Sequence, residues 1–129
     1  MKNPDDLKYT KEHEWMKVEG DIAIIGITHF AQEQLTDIVF VELPEVGKNV
    51  TKSKQAAIVE SVKSVSDVFA PISGEIIEVN EVLKEKPDLV NQDPYGEGWM
   101  IKVRIENQHE SDDLMSAEEY EKFLKEEEH

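Results

Sequence analysis

Apolar residues in this chain come in short runs, several of them bounded by glycine or proline turns. That rhythm, more than any other feature, limits the folds available, because strands need four to eight residues and long helices need more. Trp99 to Ile105 is the cleanest example. Trp99, Ile101, Val103 and Ile105 point one way while Lys102 and Arg104 point the other, the period of two of a half-buried strand. Ile22 to Ile27, opened by the turn pair Gly20-Asp21, reads as a buried strand. Ile38 to Leu43 reads as a second and is closed by Pro44 and Gly47. Gln55 to Val62 reads as a third, Asp67 to Ala70 as a fourth and Glu75 to Val79 as a fifth, with Pro71-Ile72-Ser73-Gly74 as a turn between the last two.

Helices are few. Thr28 caps a short one through Leu35, and Asn80 to Lys86 has room for one or two turns before Pro87 stops it. Ser116 and Glu119 form a capping-box pair ahead of Ala117, Tyr120, Phe123 and Leu124 at helical spacing, so an acidic C-terminal helix is expected over about 116–125. Many short strands with few helices predict a small β-barrel or sandwich with helical additions. No linker divides the chain, so residues 1–129 are expected to form a single domain.

Charge excludes several functions. The chain carries 29 acidic against 14 basic residues, a formal net charge of −15. A polyanion is repelled by nucleic acid and by anionic lipid, so neither is expected as a partner. Residues 106–129 hold 10 acids against 2 bases, and residues 1–105 hold 19 against 12, so the tail supplies half the excess. That tail reads as a solvated helix face or as a docking surface for basic partners.

No run approaches the ~20 apolar residues of a membrane span. The segment from Met1 to Thr10 has neither the apolar run of a secretory signal nor the arginines of a transit peptide. A cytoplasmic location is expected, or the mitochondrial matrix if a presequence has been removed. With no cysteine there is no disulfide, thiolate nucleophile, iron–sulfur cluster or thiolate zinc site.

Catalytic and metal motifs are missing. His13, His29, His109 and His129 contain no pair three or four apart, and adjacent residues of Glu12-His13-Glu14 would face opposite sides of a strand, so no metal site is expected. The trailing His129 reads as no more than the chain end or an appended residue. Gly96 and Gly98 lack the third glycine of a dinucleotide loop, and no Gly-x-Ser-x-Gly elbow occurs. No catalytic residue is expected.

One lysine has an unusual setting. In Glu60-Ser61-Val62-Lys63-Ser64-Val65-Ser66-Asp67 a single cation falls between two strand patterns, so a tight connection near 63–65 projects Lys63 into water. That placement alone describes an ordinary solvated turn lysine more readily than a functional one.

The same segment, followed by Ala70-Pro71-Ile72-Ser73-Gly74-Glu75-Ile76, resembles the lipoyl-attachment region of the glycine cleavage system H protein family. The likeness runs from about Leu7 to Leu124. It includes Lys8 to Trp15, Ile25-Gly26-Ile27-Thr28, Val39 to Pro44, and Asn91 to Trp99 with its Asp93-Pro94-Tyr95. It implies a flattened barrel-sandwich hybrid of two sheets, mainly β, with short helices and a C-terminal helix.

It also implies lipoic acid in amide linkage to Lys63 and a carrier without a catalytic step of its own. The implied partners are a pyridoxal-phosphate-dependent glycine decarboxylase, an aminomethyltransferase using tetrahydrofolate, and a dihydrolipoyl dehydrogenase using FAD and NAD. A lipoate ligase or lipoyl transferase would attach the group. The carrier then moves the aminomethyl group of glycine from the decarboxylase to the aminomethyltransferase.

The resemblance further implies a surface cleft in which Glu14 and Asp67 receive the loaded arm. Some relatives have histidine where this chain has Gln34, so residue 34 is left out of that site. Alternatives are a lipoyl domain of a 2-oxoacid dehydrogenase complex, which usually shows Asp-Lys-Ala where this chain has Val62-Lys63-Ser64, and a scaffold relative without the lipoyl group. A biotin carrier would show Met-Lys-Met, which is absent.

Overall fold

The structure is a computed structural model and describes residues 3–127; His129 lies outside the described residues. In chain order the strands are β1 (Lys8–Tyr9), β2 (Glu14–Glu19), β3 (Ile22–Ile27), β4 (Ile38–Glu42), β5 (Asn49–Val50), β6 (Gln55–Ser61), β7 (Val65–Phe69), β8 (Gly74–Val79) and β9 (Ile101–Ile105). The helices are α1 (His29–Leu35), α2 (Leu89–Gln92) and α3 (Ala117–Glu127), with 3₁₀ turns at Glu81–Lys84 and Gln108–Ser111. All strand pairs are antiparallel. Six strands form one sheet in the order β1-β2-β3-β9-β8-β5, and β4-β6-β7 form another. The sheets do not close into a barrel, so of the two architectures expected the sandwich is the one that forms.

Alternation decides which side chains meet between the sheets. In β9, Ile101, Val103 and Ile105 are buried while Arg104 is exposed, and Val103 lies opposite both Ala23 of β3 and Ile76 of β8. From the smaller sheet Val41, Val59 and Val68 fill the same core. The other face of the large sheet carries a second cluster in which Leu7, Tyr9 and Trp15 pack on Ala117 and Tyr120 of α3. Tyr9 and Tyr120 stack with centroids 4.8 Å apart, and Tyr9 exchanges backbone hydrogen bonds with Met115. The capping box forms as expected: the Ser116 amide donates to Glu119 Oε1 at 2.8 Å and the Glu119 amide to Ser116 Oγ at 3.2 Å. Thr28 Oγ1 likewise accepts from the Ala31 amide at the head of α1.

Six elements differ from expectation. β1, β2, β5 and α2 lie where no element is expected. β7 starts at Val65, two residues before Asp67, because Val65 pairs with Glu60 although its side chain is exposed. Strand β9 begins at Ile101, yet the Met100 amide still bonds to Ile25 O and its carbonyl accepts from Asn80, which extends the order toward Trp99.

Backbones crowd where β8 starts. A Cβ built on Gly74 would stand 2.0 Å from the carbonyl oxygen of Arg104 on β9. Backbone cannot swing aside as a side chain can, so Gly74→Ala should force β8 and β9 apart where β8 starts. A loss of about 1–3 kcal/mol or more is expected in denaturant unfolding, as for other overpacked cores. An unchanged midpoint would show that the strands separate freely there.

Candidate functional site

Lys63 sits in the three-residue connection between β6 and β7. Ser61, which is 7% exposed, organises the turn. Its amide donates to Ser64 O at 2.8 Å, and its Oγ accepts from the amides of Lys63 at 3.1 Å and Ser64 at 3.0 Å. Both strands leave the turn in register, with Glu60 opposite Val65. From outside the hairpin, Asp37 O accepts from the Val62 amide at 3.0 Å. The Lys63 side chain is exposed, as expected from its place between two strand patterns, and makes no ion pair among the described residues. Two other lysines are engaged: Lys52 Nζ is bound to Asp113 and to Glu110 O, and Lys48 pairs with Glu45 at 3.7 Å.

Glu14 is set by the alternation of β2. Glu14 and Met16 face the space between the sheets, and Trp15 faces α3. Trp15 lies across Gly26, its partner on β3, where a Cβ would come within 2.8 Å of the indole. Glu14 is only 2% exposed. Its Oε1 accepts from Thr10 Oγ1 at 2.6 Å, and its Oε2 accepts from the Phe69 amide of β7 at 3.0 Å. The carboxyl therefore spans the gap between the two sheets. Burial pushes its pKa up to about 7, against the two hydrogen bonds, which favour the charged form.

Glu14 also lines a cleft of about 510 Å³. Thr10, Phe69, Pro71, Lys52, Asp113 and Leu114 are among the residues that line it with Glu14. The segment that leads to Asp113 and Leu114 is tied to the head of β8 by Glu110, which accepts from the Ser73 amide and hydroxyl at 2.8 and 3.1 Å.

Asp67 is not among the residues lining that cleft. It is exposed on β7, opposite Ile58, and its Oδ1 accepts from Gln55 Nε2 at 2.7 Å. Val65, Asp67 and Phe69 share one face of β7, while Val68 points into the core. That face leads from the Lys63 turn to the cleft, a rise of roughly 13 Å from Val65 to Phe69 at 3.3 Å per residue. Sequence reasoning missed Thr10, Ser61 and Asp37. The first two carry a legible signal in hydroxyls placed to bond nearby amides, whereas Asp37 contributes only a carbonyl.

The family model for the glycine cleavage H-protein matches residues 7–127. This chain belongs to the glycine cleavage H-protein family. The glycine cleavage system H protein of Carboxydothermus hydrogenoformans is 60% identical over 124 residues, 96% of this chain and 95% of its own. That of Symbiobacterium thermophilum is 57% identical over 123 residues, covering 95% and 96%. A crystal structure of the Mycobacterium marinum H protein superposes with a TM-score of 0.88 at 40% identity, covering 95% of this chain and 99% of that one.

The protein is thus a lipoyl carrier of the glycine cleavage system and not itself an enzyme. Glycine decarboxylase, aminomethyltransferase and lipoamide dehydrogenase are its partners, and a lysine carries the lipoyl group. The 2-oxoacid dehydrogenase alternative is set aside. Among the described residues no helix is long and apolar enough to cross a membrane.

Glu14 gives the site a pH signature. Its folded pKa of about 7 lies above the ordinary 4.5, so the folded state holds the proton more tightly. Stability from this group is full below pH 4.5, falls as pH rises toward 7 and levels off above. Glu14→Gln keeps an acceptor for the Phe69 amide and a donor toward Thr10 while removing the titration. Relative to that variant, the native protein should lose about 3 kcal/mol of unfolding free energy across this window. Parallel curves for the two proteins would mean that Glu14 titrates as an exposed acid does.

Proposed function

We propose that Lys63 is the lysine that carries the lipoyl group, and that the cleft beside Glu14 receives the loaded end of the arm. The observation that carries this reading is the turn itself. An exposed lysine, free of ion pairs among the described residues, stands on a connection whose backbone is fixed by Ser61 and Asp37. Lys48 and Lys52 are engaged elsewhere. Exposure lets an attaching enzyme, a lipoate ligase or lipoyl transferase, surround the ammonium. A fixed backbone gives that enzyme one shape to recognise.

Once attached, the lipoyl group supplies a dithiolane whose sulfurs take up and release the cargo. The protein's own part is placement. Val65, Asp67 and Phe69 line a path along β7 from the turn to the cleft. There Glu14 offers a carboxyl held by Thr10 and Phe69 with lone pairs still free. A cationic cargo entering would draw that carboxyl to its charged form and pair with it, more strongly for being partly desolvated. Asp67 lies along the path and adds a second negative charge before the cleft. Closing the cargo off from bulk water would protect its one-carbon unit from hydrolysis.

We also propose that residues 1–129 act as one carrier domain, since α3 is stacked on β1 and β2 through Tyr9 and Tyr120. A cytoplasmic location fits the bacterial relatives and the absence of cysteine.

Peptide mapping after incubation with lipoate ligase, lipoate and ATP should place the added mass on Lys63. Lys63→Arg should fold, judged by an unchanged melting curve, and take up no lipoate, because guanidinium does not form the amide. Added mass at Lys54 or Lys48 would overturn the assignment. For the cleft, native protein, Glu14→Gln and Asp67→Asn should be loaded and the loss of cargo to water followed. Glu14→Gln should lose it about tenfold to a hundredfold faster, the size of one desolvated charged hydrogen bond. Asp67→Asn, which is exposed, should change the rate by less. Equal rates in all three would make both carboxylates bystanders.

A further inference from the structure

We propose that Asn91 is a positioning residue for Lys63, acting through the bend at Thr36–Asp37 and never touching the lysine. The proposal rests on reading Lys63 as the attachment point.

The bend itself is unusual. Thr36 has φ 64° and ψ −146°, a conformation that glycine adopts and a β-branched residue resists. It follows α1, whose last turn is closed by the Thr36 amide donating to Gln32 O at 2.9 Å. Such a bend persists only where its surroundings hold it. Besides the Thr36 hydroxyl, which donates to the adjacent Leu35 O, the holder is a side chain brought in by α2 from more than fifty residues along the chain. Asn91 Oδ1 accepts from the Ile38 amide at 2.9 Å, and Asn91 Nδ2 donates to Thr36 O at 2.8 Å. The same Nδ2 donates to Gln32 Oε1 at 2.9 Å, so the amide is itself held in orientation. The carboxamide therefore grips the bend on both sides of Asp37.

What lies between those grips is the carbonyl of Asp37, which accepts from the Val62 amide. Among the described residues this is the one backbone hydrogen bond joining residues 62–64 to anything outside the hairpin. The chain of contacts runs from Asn91 to the bend, from the bend to Val62, and from Val62 to Lys63. Ser61 fixes the shape of the turn, and Asn91 fixes where that turn stands relative to β4.

Losing the grip leaves the Lys63 chemistry untouched but gives the turn more positions to sample. An attaching enzyme then has to order the turn as it binds, so the cost falls on recognition and not on amide formation. Asn91→Ala should raise the KM of lipoate ligase for this protein about tenfold while kcat stays within about twofold. Amide exchange should accelerate at Val62 to Ser64 and stay unchanged in β3 and β9.

Asn91→Asp serves as second variant if the alanine does not fold. It keeps the acceptor for Ile38 and sets a second acceptor against Thr36 O and Gln32 Oε1, and it should shift KM in the same direction.

Thr36→Gly separates positioning from support. Glycine accepts the backbone angles, so Asn91→Ala with Thr36→Gly should regain melting temperature while KM stays high. Recovery of both together would show that Asn91 only supports the fold and would overturn the proposal, as would an unchanged KM in a folded Asn91 variant. Mapping on native protein keeps the two readings apart: mass on another lysine overturns the Lys63 assignment, whereas mass on Lys63 with a normal KM in the variants overturns the role of Asn91 alone.

Discussion

The two sheets share no hydrogen-bonded strand, so only side chains hold one against the other. The position of Glu14 follows from how that gap is filled. Along its middle the filling is apolar, with Ala23, Ile76 and Val103 facing Val59 and Val68. At the rim it becomes polar, because β2 sends Glu14 inward to reach the Phe69 amide. A buried carboxyl between two sheets is unfavourable in itself, and its raised pKa expresses that. Two hydrogen bonds hold it there, and the cleft opens beside it.

Period-two alternation explains what was readable in the sequence and what was not. β9 was plain because one face is buried and the other partly wet, which leaves Ile101, Val103 and Ile105 out of phase with Lys102 and Arg104. β2 is covered on both faces, by the main core and by α3, so Glu14, Trp15 and Met16 are buried in succession and no alternation survives. β1 and β5 have two residues each, too few for any pattern. The C-terminal helix was legible from its Ser116–Glu119 box because both partners lie within one turn.

The site divides along the same line. Lys63 stood out as one cation between two apolar strands, a local feature. Glu14 came only from the family likeness, since one acid among 29 carries no mark of its burial. The hold on the Lys63 turn is longer in range still, built from the carbonyl of Asp37 and an asparagine whose partners are main-chain atoms of Thr36 and Ile38. Main-chain partners leave no trace in residue identity, so no reading of side chains could have paired Asn91 with that bend.

A carrier of this kind faces two opposed demands. Its arm must be free to visit three enzymes, and its root must be fixed so that a fourth can build the arm in the first place. With Lys63 as the proposed root, these demands fall on different parts of one hairpin. The Lys63 side chain is exposed and makes no ion pair among the described residues. Rigidity resides in the backbone beneath it, through Ser61 within the turn and Asp37 outside it. Between root and cleft, β7 presents Val65, Asp67 and Phe69 in a line, so a docked arm would follow a surface whose far end is anchored to Glu14 by the Phe69 amide. The group that would receive the cargo and the strand that would guide it are therefore coupled by a single hydrogen bond. Protonation of Glu14 weakens the acceptor at one end of that bond, so the cleft carboxyl and the guiding strand respond to pH together.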